Sequence, residues 1–154
     1  MSDPLPPLDE IEAELAARRA RRAAADLTAP YLSDPALFVR ECFAWRDGDA
    51  GPAPYQLRFL QRLAVRRRSS VRASHGVGKT TVAAWVTIWY ALTREALAEA
   101  EGTDWKVVTT AGTWRQLVKY LWPEVHKWVR RVRWESLGRG PLTLDETLAV
   151  CTQI

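Results

Sequence analysis

Apolar positions recur at helical spacing in five stretches of this 154-residue chain. In residues 9–25 the stripe is thin (Leu8, Ile11 and Leu15), with acids in the first turn and four arginines, Arg18, Arg19, Arg21 and Arg22, in the last, an order that suits the helix dipole. That pattern predicts a peripheral helix. Ser33-Asp34-Pro35 predicts a second helix start, a capping side chain followed by proline at the first helical position, with Leu37, Phe38, Cys42 and Trp45 on its buried side. Residues 46–54 are turn chemistry. Residues 55–65 read as helix through Leu57, Leu60 and Ala64, and residues 80–97 through Val82, Trp85, Val86, Trp89 and Leu92. Residues 114–134 carry Leu117, Val118, Leu121, Val125, Trp128, Val129 and Val132 at the same period, with Pro123 placed to kink or divide the helix.

Two segments break the helical period. Residues 69–73 form a short strand candidate whose one strong β-former is Val71, and residues 105–111 (Trp-Lys-Val-Val-Thr-Thr-Ala) read as the best strand of the chain. Strand, glycine turn, helix, strand, helix is the order of an α/β unit with a parallel sheet. The predicted fold class is therefore α/β. Residues 1–30 would be a tail and peripheral helix, and residues 31–154 the α/β domain. No internal repeat is visible.

Composition narrows the class. Apolar residues make up 47% and charged residues 26%, which excludes wholesale disorder. No apolar run is long enough for a membrane span, the N-terminus carries no secretory pattern, and Cys42 and Cys151 are too few for a disulfide framework or a metal cluster. A cytoplasmic chain is expected. The net charge of +4 is unevenly spread: residues 1–54 hold ten acids and six bases, whereas residues 51–94 hold eight bases and no acid. Arginine outnumbers lysine 18 to 4 and suits forked contacts with phosphate, so a polyanion partner is expected.

The chemistry concentrates at Ala73-Ser74-His75-Gly76-Val77-Gly78-Lys79-Thr80, between the first strand candidate and its helix. Small residues there let backbone N–H groups converge on phosphate oxygens at a helix N-terminus. Lys79 would reach the β- and γ-phosphates of ATP, and the Thr80 hydroxyl would complete the shell of Mg2+. Ser74, His75, Gly76, Val77 and Gly78 complete the candidate loop. Upstream, Gln56 opens a helix after Tyr55, and its amide could address an adenine edge. Downstream, Thr113 and Gln116 follow the second strand candidate, where α/β sheets bind ligands, although Thr113 is equally placed to cap a helix.

The order of these features resembles the ATPase domain of the large terminase subunit of tailed bacteriophages. The match runs from Asp34-Pro35-Ala36-Leu37-Phe38-Val39 through Gln56 and the loop to Thr110-Ala111-Gly112-Thr113 and Gln116, roughly residues 33 to 130. The resemblance implies a RecA-like, doubly wound phosphate-loop ATPase that pumps double-stranded DNA at a procapsid portal in the bacterial host cytoplasm. It also implies contacts with the portal protein, the small terminase subunit and further copies of itself, and a nuclease domain beyond.

The chain departs from that pattern in three places. His75 stands where many terminases carry an arginine within the loop, Arg72 interrupts the strand before it, and no apolar strand ending in Asp-Glu follows. The nearest pair, Asp145-Glu146, follows Gly140-Pro141-Leu142-Thr143-Leu144 and reads as a turn or helix start. Magnesium orientation and water activation need such carboxylates, so nucleotide binding is expected to exceed hydrolysis. By this reading the chain is the front of a longer motor, stopping before its catalytic acids. The rival readings are a helicase-like ATPase fragment of the DEAD type and a non-catalytic basic DNA-binding protein. Trp128-Val129-Arg130-Arg131-Val132-Arg133-Trp134 adds an arginine-rich surface beside core tryptophans.

Overall fold

A computed structural model describes residues 7–138 apart from Arg67, together with Gly140. Its helices are α1 (Leu8–Thr28), α2 (Pro35–Cys42), α3 (Pro54–Val65), α4 (Lys79–Glu101), α5 (Trp114–Gln116) and α6 (Trp122–Val129), with short 3₁₀ turns at Ala29–Tyr31 and Trp134–Leu137. Asp34 accepts a hydrogen bond from the Leu37 backbone N–H at 2.9 Å and Pro35 takes the first helical position, so α2 starts where its cap predicts. Phe38, Val39 and Cys42 are fully buried behind it.

Helix α4 is the axis of the molecule. Val82, Trp85, Ile88, Trp89 and Leu92 are buried along it, and α1, α2 and α6 pack against it. Trp128 on α6 stands edge-on to Trp85 at a centroid distance of 5.1 Å and to Phe43 at 5.1 Å, while Trp45 lies 5.2 Å from Trp128. Each such pair contributes about 0.5–1.5 kcal/mol beyond its buried area. The Trp85 indole N–H is buried without a hydrogen-bond acceptor among the described residues. Trp89 is satisfied, donating to the Tyr31 carbonyl at 2.6 Å and tying α4 to the turn after α1. Burial pushes the Cys42 thiol up to about 11, so it stays protonated as a small apolar core group.

The α/β expectation is corrected here. No strand and no sheet occur among the described residues; an isolated antiparallel bridge between Phe43 and Val132 is the nearest approach, and the arrangement is all-helical. Residues 69–73 have no regular secondary structure, and each is exposed. Residues 105–110 alternate between half-buried and exposed side chains as a strand would, yet among the described residues no backbone–backbone hydrogen bond joins either segment to a neighbour. Side-chain alternation makes an extended chain amphipathic; only a ladder partner makes it a strand. Asp145 and Glu146 lie outside the described residues.

Two helical expectations are also revised. Helix α1 runs on to Thr28, which leaves its arginines in mid-helix and no basic residue in the last turn. Arg18 instead pairs with Glu14 at 2.6 Å on an exposed face, and Leu8 and Leu15 of the expected stripe are exposed. Contact with α4 is made through the far end, where Ala24 and Thr28 are buried. The effect of Pro123 is a change of helix type. Lacking an N–H, it cannot donate to the carbonyl of Lys119, and residues Leu117–Leu121 widen to a π turn in which Trp122 N–H bonds to the Leu117 carbonyl.

Trp85→Ala should cost about 3–5 kcal/mol because the aromatic cluster cannot collapse around the void. Trp114→Ala, at an exposed site, should stay within about 0.5 kcal/mol of the parent. Urea denaturation of the two variants checks the ordering.

Candidate phosphate-binding loop

The loop lies between an exposed irregular segment and the first turn of α4. Residues 75–78 turn, and Lys79 is the first helical residue. Gly76 and Gly78 have φ of +78° and +75°, the left-handed region that costs other residues about 1–2 kcal/mol. Gly78 is constrained twice, since a Cβ there would sit 2.6 Å from the Gln56 side-chain nitrogen. Its carbonyl accepts from Val82 N–H at 3.0 Å, which makes it the cap of α4.

Lys79 folds back over the loop. Its ammonium donates to the carbonyls of Ala73 at 2.8 Å and Ser74 at 2.5 Å. An ammonium has three donors, and these two bonds leave one. Ser74, His75 and Thr80 are exposed around it. Helix α3 supports the loop from the other side. Tyr55 donates its hydroxyl to the Val77 carbonyl at 2.7 Å, and the Gln56 amide lies against Gly78. The Gln56 side-chain oxygen accepts from Ala53 N–H at 2.8 Å, which commits that oxygen to the start of α3, while the largely buried residue also lines the cavity beside the loop.

A cavity of about 790 Å³ opens beside the loop, between α3, α4 and the irregular segments. Its floor is apolar, with Phe59, Val82, Val86 and Tyr90, and its charged lining consists of Lys79, Arg72 and Lys106. No carboxylate lines it among the described residues. Such a chamber favours an anion. Thr113 and Gln116 are exposed and take no part in that lining. Thr113 stands at the cap position of α5, but its side chain makes no capping bond.

Glu124 carries no local signal in the sequence. From α6 this carboxylate accepts from the Thr81 hydroxyl at 2.7 Å, the Trp128 indole N–H at 2.9 Å and the Lys127 ammonium at 3.1 Å. Partial burial pushes its titration up, but those three donors outweigh burial and hold it below the usual glutamate range. Thr81 follows Thr80 directly, so Glu124 pins the helix turn that carries the loop. Spacing could link Glu124 to Trp128 four residues on, but not to a threonine 43 residues away. Among the described residues no cluster of three or more histidine, cysteine or acidic side chains could hold a metal ion, and no helix is long and apolar enough to cross a membrane.

Comparison with protein-family models, with curated proteins and with solved structures finds no match.

The glycines and Glu124 make separate predictions. Gly76→Ala should cost about 1–2 kcal/mol, the conformational penalty alone, because its surroundings are open. Gly78→Ala should cost more, and the excess should shrink in a Gln56→Ala background, as chemical denaturation of the double-mutant cycle would read. Because the Glu124 titration is depressed, its contribution is present above the ordinary glutamate range and is lost as pH falls through and below it. Glu124→Gln should therefore flatten the acid limb of the stability–pH curve, measured by urea denaturation across that range.

Proposed function

We propose that residues 73–80 bind the polyphosphate of ATP, and that the chain is the nucleotide-binding part of a terminase-like large subunit, the ATP-driven motor that packages double-stranded viral DNA. Lys79 carries this reading. Its ammonium sits at the N-terminus of α4, over a loop with two left-handed glycines, with one donor uncommitted. The acid-free cavity with Lys79, Arg72 and Lys106 supports the same anion.

The residues present fit the nucleotide. They also fit Mg2+, provided it arrives with ATP: Thr80 offers an exposed hydroxyl beside the phosphate site, and magnesium commonly takes a single protein oxygen with phosphate and water for the rest. When bound, the ion would neutralise phosphate charge. Gln56 and Tyr55 serve as positioning residues behind the loop. Ser74, His75, Gly76, Val77 and Gly78 supply the loop backbone. The proposal is confined to nucleotide binding: among the described residues the cavity lining offers no carboxylate to activate water. The partners in this reading are duplex DNA, the portal protein, the small terminase subunit and other copies of the chain, in the cytoplasm of a bacterial host.

Titration of a fluorescent ATP analogue into the intact chain and into Lys79→Ala tests it. Loss of one charge-assisted phosphate contact should weaken binding by about 10- to 100-fold. Equal binding by both proteins, or none by either, would remove the phosphate-loop assignment.

A further inference from the structure

The turn after the second irregular segment displays two aromatic rings to solvent. Along residues 114–121, Leu117 is buried and Leu121 packs against the core, which sets the inward row. Trp114, Arg115, Gln116, Val118, Lys119 and Tyr120 are all exposed along this stretch, which passes from α5 into the π turn. Arg115 and Lys119, both exposed, form a cationic ridge bracketed along the chain by Trp114 and Tyr120. Trp114 is 66% exposed and Tyr120 65% exposed. Neither ring joins a ring–ring or cation–ring contact among the described residues, whereas Trp45, Trp85 and Trp128 are all stacked in the core. Residues 105–123 include Lys106, Arg115 and Lys119 and no acid at all.

We propose that this ridge binds a single strand of nucleic acid, its phosphates over Arg115 and Lys119 and its bases stacked on Trp114 and Tyr120. The charge selects a polyanion. The rings select among polyanions, because an unpaired base offers a π-face while a duplex keeps its bases stacked and offers phosphate alone. This surface involves neither the loop nor Lys79, so it stands apart from the nucleotide reading.

Fluorescence anisotropy with a labelled single-stranded oligodeoxythymidine, and with the same strand annealed to its complement, tests the proposal on the full chain. Trp114→Ala and Tyr120→Ala should each weaken single-strand binding by about tenfold and leave duplex binding unchanged. Arg115→Ala with Lys119→Ala should weaken both and reduce the salt dependence. Lys79→Ala should leave single-strand binding intact even where it abolishes nucleotide binding. The exposed positions permit a check by urea denaturation that each variant remains folded. Single-strand binding unaffected by the ring variants, equal losses for single strand and duplex, or no binding by the parent chain would overturn the proposal. So would a ring variant that loses self-association while binding DNA as the parent does.

Discussion

The burial of one face of α4 is the constraint on which the remaining structure depends. Trp85 and Trp89 fix the rotation of that helix, through Trp128 on one side and the Tyr31 carbonyl on the other. Rotation fixes where its N-terminus points, and the N-terminus is where Lys79 and the two left-handed glycines stand. A loop of this kind has little stability of its own. It is held by a packed helix behind it, by Tyr55 and Gln56 from α3, and by Glu124 gripping Thr81 in the next turn. Packing energy in the core thus becomes positional accuracy at the surface.

Helices were legible in the chain because their signals are local. The Asp34-Pro35 cap, the tryptophan period of residues 80–97 and the proline at 123 each act within a few residues. The sheet was misread for the complementary reason. Residues 105–110 have the alternation of a strand, but a strand is defined by its partner, and hydrophobic period alone cannot supply one. The site divides in the same way. Glycine spacing and Lys79 were readable; the approach of the Gln56 amide nitrogen to Gly78, and the reach of Glu124 across to Thr81, arise only from tertiary contact.

Charge distribution links the two surfaces. Acids concentrate in the first third of the chain; Glu14 pairs with Arg18 and Asp49 with Arg131, and none of the four lines the loop cavity. The loop cavity and the ridge at residues 114–120 are left cationic and without acids. One is concave with an apolar floor, suited to a compact anion. The other is convex with flanking rings, suited to a chain-like one. Shape, more than charge, separates what each would take.

A phosphate chain, as proposed, would seat on the N-terminus of α4. Backbone amide shifts followed by NMR during titration with inorganic tripolyphosphate test it most directly, because that probe carries the phosphates and nothing else. The largest changes should fall on Gly76, Val77, Gly78, Lys79 and Thr80, with smaller ones at Tyr55 and Gln56. Changes concentrated at residues 114–120 or spread evenly over exposed arginines, with the loop amides unmoved, would contradict it.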